Sequence, residues 1–273
     1  MAQIINTNIS SLNAQRNLNT SQSALSSALQ RLSSGLRVNS AKDDAAGLAV
    51  AEKMNSQARG MTVAIRNAND GLSLAKTAEA GMNVIGEHLQ RMRDLAVQSA
   101  SGQYDSDNRK ALNTEYDQLK SEIGRVVSAT NFNQKQLLDG TFSAGITFQV
   151  GATTTAESQI AISIGQVETS NLHPDISTDS SAALSAISKI DEMISTLNTN
   201  RASLGAVQNR FTGVLDQLTA AHENTTAARS RIMDADYADE TAKLARSQVL
   251  QQAGVAMLSQ ANALPQNVLS LLR

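Results

Sequence analysis

Residues 248–273 read QVLQQAGVAMLSQANALPQNVLSLLR. Within them Leu250, Ala253, Met257, Ala261, Leu264, Val268 and Leu271 recur at steps of three, four, four, three, four and three residues. That alternation returns a small or apolar side chain to one side of an α-helix at every turn, the narrow stripe by which one helix docks on another. Such a stripe has nothing to bury itself against, and an isolated helix in water is marginal because its stability comes from packing. Ser230–Arg273 is therefore expected to be rigid only against partner helices. Pro265 lies inside the pattern, lacks an N–H and crowds the preceding turn, so it is expected to bend or end the helix.

The opposite end carries a matching pattern. Ile5, Ile9, Leu12, Leu18, Leu25, Leu29, Leu32 and Leu36 follow helical spacing, with Gln15 and Gln22 as polar interruptions. Gly35 reads as a C-terminal stop, and Ser40-Ala41-Lys42-Asp43 as the capping box that opens the next helix. That helix shows the strongest periodicity of the chain: Leu48, Ala51, Met54, Ala58, Met61, Ile65, Ala68, Leu72, Ala75, then Met82, Ile85, Leu89, Met92 and Ala96. From about Ala45 to Ser99 it would run roughly 80 Å, which argues for a rod.

Gly102 and Asp105-Ser106-Asp107 mark a turn and an N-cap, after which Leu112, Tyr116, Leu119, Ile123 and Val126 predict a shorter antiparallel helix. Between Phe132 and Val167 the period changes to two. Ile146-Thr147-Phe148-Gln149-Val150 and Ile160-Ala161-Ile162-Ser163-Ile164, punctuated by Gly140, Gly145, Gly151 and Gly165, read as hairpin strands. Residues 166–181 form a polar connector with Pro174. Helical spacing resumes at Ile187, Ile190, Ile194, Leu197, Leu204, Val207, Phe211, Val214 and Leu218 and continues with little interruption into the tail.

The predicted fold is mainly α: an elongated antiparallel helical hairpin, a coiled-coil rod, with a small β-hairpin element. Residues 1–44 with 230–273 make a discontinuous terminal helical pair. Residues 45–229 make a helical bundle carrying the β-hairpin region at about 132–167.

Composition narrows the function. Over 273 residues, 41% are apolar, enough for a core, but only 3% are aromatic, which suits thin helix-on-helix seams. A net charge of -2 with both signs interspersed gives no reason to expect nucleic acid as a partner. No run of eighteen apolar residues is present, so no membrane insertion is expected. Without cysteine there are no disulfides, thiolate metal sites or cysteine nucleophiles. Met1-Ala2-Gln3-Ile4-Ile5-Asn6 lacks a basic head and an apolar run, so export without a cleaved signal peptide is expected if the protein is secreted.

Chemistry-bearing motifs are scarce. His222-Glu223-Asn224-Thr225-Thr226 begins like a zinc-peptidase motif, but Thr226 stands where the second histidine would complete the metal pair. No nucleophile elbow or phosphate loop is present, and neither catalysis nor a cofactor is expected. Asn8-Ile9-Ser10 and Asn224-Thr225-Thr226 fit an N-glycosylation pattern but fall on helices expected to be covered in an assembly.

Several stretches resemble bacterial flagellin. Leu32-Ser33-Ser34-Gly35-Leu36-Arg37-Val38-Asn39-Ser40-Ala41-Lys42-Asp43-Asp44-Ala45-Ala46-Gly47-Leu48 is similar to the family's N-terminal signature. Gln248 to Gly254 and Ala261 to Arg273 are similar to its C-terminal one, and Phe132-Asn133, Leu137-Leu138-Asp139-Gly140 and Ser203 to Arg210 add matches between them. The resemblance covers nearly the whole chain, except that the family's variable outer domains have no counterpart. It implies an extracellular subunit of the flagellar filament that polymerises with itself and is exported through the flagellar channel. It also implies an export chaperone, cap proteins and hook-associated proteins as partners. Assembly would rest on Ile5, Ile9, Leu12, Leu25, Leu29, Leu32, Leu250, Ala253, Met257, Leu264, Val268 and Leu271.

Leu89 to Gln98 is similar to the flagellin patch bound by Toll-like receptor 5, with Gln90, Arg91, Leu95 and Gln98 matching on one helix and Glu115 on the next. An arginine beside an exposed Leu95 would make a binding hot spot, and the same surface would serve axial contact between subunits. The alternative is a coiled-coil hook-filament junction protein or secreted adaptor that assembles only in small numbers.

Overall fold

The computed structural model of the chain describes residues 7–171 and 175–271, with side chains placed for residues 7–170 and 175–263. Among the described residues five α-helices run in chain order as α1 (Ile9–Ser34), α2 (Ala45–Ala100), α3 (Ser106–Ala129), α4 (Ser180–Met233) and α5 (Tyr237–Leu271). Between α3 and α4 lie the strands β1 (Asn131–Phe132), β2 (Lys135–Gln136), β3 (Ile146–Gln149) and β4 (Gln159–Ile162). The chain is mainly α, as its periodicity predicts. It divides into two units, Gln57–Glu223 and Met1–Ser56 with Asn224–Arg273.

The unit Gln57–Glu223 holds the aliphatic core. Met82, Ile85, Leu89 and Met92 of α2 meet Tyr116 and Ile123 of α3 and Ile190, Leu197, Leu204 and Phe211 of α4, all buried. α2 and α4 run antiparallel, because Arg93 pairs with Asp191 at 2.7 Å and Glu79 accepts from Gln208 at 2.7 Å. β3 and β4 pair antiparallel from Ile146↔Ile162 to Gln149↔Gln159. This alternation puts Ile160 and Ile162 into the core and leaves Gln159 and Ala161 outside. The Phe148 and Phe211 rings meet edge to face with centroids 6.0 Å apart. Gly71 makes room for them, since a Cβ there would lie 2.8 Å from the Phe211 ring.

In the other unit α1 packs against α5. Gly35 ends α1 in the left-handed region at φ 71°, donating from its N–H to Arg31 O at 2.8 Å. A short clasp follows. Arg37 N donates to Met233 O at 2.6 Å, Ala235 N to Gly35 O at 2.9 Å, and the Arg37 guanidinium to Ile232 O at 2.6 Å.

Three sequence expectations are revised. The tail is not continuous with α4: Asp234-Ala235-Asp236 interrupts it, and the Asp236 carboxylate caps α5 by accepting from Ala238 N at 2.8 Å. The cap of α2 is Asp44, which accepts from Gly47 N at 2.7 Å, and not the Ser40–Asp43 box. Asp43 instead closes the preceding loop. Hydrogen bonds from Asn39 N, Ser40 N and the Ser40 hydroxyl hold its carboxyl below the usual range. Pro265 does not end α5, which continues to Leu271.

Candidate assembly surfaces

Helical geometry lets each residue of the α1/α5 pair face either the seam or the outside, and the choice here is unusual. On α1 the covered or half-covered positions include Asn8, Ser11, Ala14, Leu18, Ser21, Leu25, Ala28 and Leu32; on α5 they include Glu240, Leu244, Ser247, Gln251, Gly254, Leu258 and Ala261. Both sets step by three and four, but they are rich in small and polar residues. Polar bonds cross the seam: Ser11 Oγ to Asn262 Oδ1 at 2.8 Å, Asn8 Nδ2 to Ala261 O at 2.7 Å, and Gln251 Nε2 to Gln22 Oε1 at 2.6 Å. Asn8 also caps α1 by accepting from Ser11 N, so the amide of the first glycosylation pattern is engaged at both ends.

Beside the seam leucines Leu18, Leu25, Leu32, Leu244 and Leu258, a second set of large apolar side chains lies elsewhere. Ile9, Leu12 and Leu29 on α1 and Val249, Leu250, Val255 and Met257 on α5 are each 49–64% exposed. The predicted tail stripe thus turns mostly outward: Leu250, Ala253 and Met257 are exposed and only Ala261 is buried. The N-terminal stripe splits, with Leu18, Leu25 and Leu32 half-covered while Ile9, Leu12 and Leu29 face out. Ile5 lies outside the described residues, as do the side chains of Leu264, Val268 and Leu271. Val249 and Val255 were not singled out by spacing, because they fall between the turns of the stripe that was followed.

A second surface lies on the unit Gln57–Glu223. Gln90, Arg91, Gln98 and Glu115 are all exposed, and the structure brings two of them together: Arg91 Nε and Nη2 donate to Glu115 Oε1 at 2.8 and 2.6 Å. Gln98 Nε2 donates to Tyr104 Oη at 2.8 Å. Leu95 corrects the expectation, because it is only 1% exposed and cannot be a surface contact. It widens the core face made by Met92 and Ala96, which is broad here because α2 is packed by both α3 and α4. The exposed apolar side chain of this stretch is Val97, 47% exposed. Two residues on from Leu95, it points to the opposite side of the helix.

His222 of the incomplete zinc motif lies on α4, with Nε2 3.4 Å from Thr62 Oγ1. Among the described residues no cluster of three or more His, Asp or Glu could hold a metal, and no helix is long and apolar enough to cross a membrane.

Known proteins match this arrangement along its length. Residues 5–143 match the bacterial flagellin N-terminal helical region and residues 187–272 the bacterial flagellin C-terminal helical region. The flagellin of Halalkalibacterium halodurans is 44% identical over 99% of this chain and 100% of its own length. The flagellar filament 33 kDa core protein of Treponema phagedenis is 40% identical over 99% of this chain and 100% of its own. The crystal structure of Bacillus cereus flagellin, 31% identical, superposes with a TM-score of 0.51 over 60% of this chain and 94% of that one. End-to-end matches at such lengths mean a short form, without large inserted outer domains. The chain belongs to the bacterial flagellin family, a family of structural proteins and not of enzymes.

Proposed function

We propose that this chain is a structural subunit of the flagellar filament, polymerising with copies of itself outside the cell. The observation that carries this reading is the α1/α5 pair, whose seam is made of small and polar residues with five leucines and which, among the described residues, leaves seven large aliphatic side chains about half exposed or more. Fully covering one such side chain contributes roughly 1.5–3 kcal/mol. Exposed in the single copy, these side chains can meet those of neighbouring copies. A head-to-tail contact of this kind does not close and so grows a filament. Export without a cleaved signal peptide, and service by an export chaperone, cap and hook-associated proteins, belong to the same reading. The test is electron microscopy of the purified full chain at modest salt. Long filaments are expected, whereas small closed oligomers would favour a junction or adaptor role.

The exposed group Gln90, Arg91, Gln98 and Glu115 we assign to axial contact between subunits and, in the free subunit, to Toll-like receptor 5. The Arg91–Glu115 fork is half exposed at both ends, so it contributes only about 0.2–1 kcal/mol to stability. Its value to a partner is a pre-positioned planar cation. Arg91→Ala is therefore expected to leave melting nearly unchanged and to lower receptor signalling by the soluble chain about tenfold or more, the order of a modest hot spot. Unchanged signalling potency would remove the receptor assignment.

A further inference from the structure

The residues that meet in the α1/α5 seam repeat themselves. On α1, a shift of seven positions lays Ala14 on Ser21, Leu18 on Leu25, Ser21 on Ala28 and Leu25 on Leu32; on α5 it lays Ser247 on Gly254 and Gly254 on Ala261. At these positions small replaces small and leucine replaces leucine, so their packing volume hardly distinguishes the observed register from one slid by a heptad, about 10 Å along the axis; Ser11 on Leu18 and Leu244 on Gln251 do not repeat. The Gln22–Gln251 bond lies at an exposed edge, where water can replace either partner.

Among the positions that break the repeat, Glu240 is the one that carries a charge. Glu240 is 4% exposed, and its carboxylate meets Arg31 of the opposite helix at 3.3 Å and Lys243 of its own at 3.0 Å. A carboxylate covered this deeply is tolerated only with a partner, and removing the partner is far costlier than the pair is stabilising. Slid one way, Glu240 comes level with Ala24; slid the other, it passes Ser34, where α1 ends. Arg31 follows in neither case, so the carboxylate keeps Lys243 of its own helix and loses its partner across the seam.

We propose that Glu240 and Arg31 determine the register of the terminal helix pair. They act as a buried charge that rejects heptad-slipped pairings and so sets the level at which the outward apolar side chains of the two helices stand. This role concerns the chain's own helices and stands or falls apart from the filament reading.

The absence of cysteine makes the test clean. A Cβ at Gly254 would lie 3.8 Å from that of Leu18, the usual span of a disulfide. Leu18→Cys with Gly254→Cys therefore reports the observed register, while Ser11→Cys or Leu25→Cys with Gly254→Cys reports a slip in either direction. In the full chain under mild oxidation, the first pair is expected to cross-link at least about tenfold faster than the other two, on the order of what a discriminating buried charge gives. Adding Glu240→Leu is expected to bring the three rates within about threefold. Inverting all the charges with Arg31→Glu, Glu240→Arg and Lys243→Glu is expected to restore the preference. If the preference survives Glu240→Leu, the backbone clasp at residues 35–37 and 233–235 sets the register and the proposal fails. It fails equally if that variant loses all three cross-links, since the helices then separate instead of sliding, or if the first pair shows no preference in the unaltered chain.

Discussion

Replacing Leu250 and Met257 together by aspartate is expected to abolish polymerisation while leaving the free chain folded. Both side chains are more than half exposed, at 51% and 63%, so the free chain gives up little packing when they change. In a filament each would be covered by a neighbouring copy. Since each is already partly covered, the substitution then removes two apolar contacts of roughly 0.8–1.9 kcal/mol each and buries a carboxylate in the place of each. Taking the apolar loss alone, the concentration needed for growth should rise by at least about tenfold, since each 1.4 kcal/mol is a factor of ten. Sedimentation of the assembled fraction against total concentration measures this, and circular dichroism of the soluble chain checks that its helices persist. Polymerisation at the original threshold would show that the outward stripe of α5 is not an assembly surface. Ser247→Leu, on the inner side of the same helix, provides a contrast: it overfills a buried seam position and should disturb the free pair first.

Phe211→Ala should be the most damaging single truncation in the unit Gln57–Glu223. Its ring is fully buried, meets Phe148 edge to face, and sits in the notch left by Gly71. The notch is made of helix backbone, which cannot move in to fill the space, so the cavity should persist. A loss of about 3–5 kcal/mol is expected, a large share of the 5–15 kcal/mol typical of a folded domain. Thermal unfolding should fall by roughly 6–20 °C at the 2–4 °C per kcal/mol usual for this size. Phe211→Leu should cost clearly less. A loss below about 1 kcal/mol for the alanine variant would mean that the unit collapses around the site or that this ring contact is not part of its core.

The two experiments separate the two jobs of this chain. Phe211 is buried within one copy, and Leu250 and Met257 are more than half exposed in it. Their side chains are equally apolar, so hydropathy alone does not distinguish them.

The length of α2 and the positions of Gly35 and Asp105 at helix ends follow from local chemistry alone: unbroken three-four spacing, a residue without a Cβ, and a carboxylate within reach of free N–H groups. The strand runs at Ile146 and Ile160 follow in the same way from period-two alternation. The break at Asp234-Ala235-Asp236 was legible too, since aspartate before a helix is a capping signal, but the apolar spacing on either side masks it. What the sequence could not decide was direction. Periodicity states which residues share a face of a helix and says nothing about which face meets which neighbour. On α5 two interleaved stripes, one through Leu250 and Met257 and one through Ser247, Gly254 and Leu258, satisfy the same spacing. Only the tertiary structure turns the second one inward, against α1. The burial of Leu95 escapes spacing for the same reason, because it depends on α3 and α4 both packing on α2 at that level. Helical content and helix ends are set by interactions within a few residues of one another. The facing of each helix is set by partners far away in the chain.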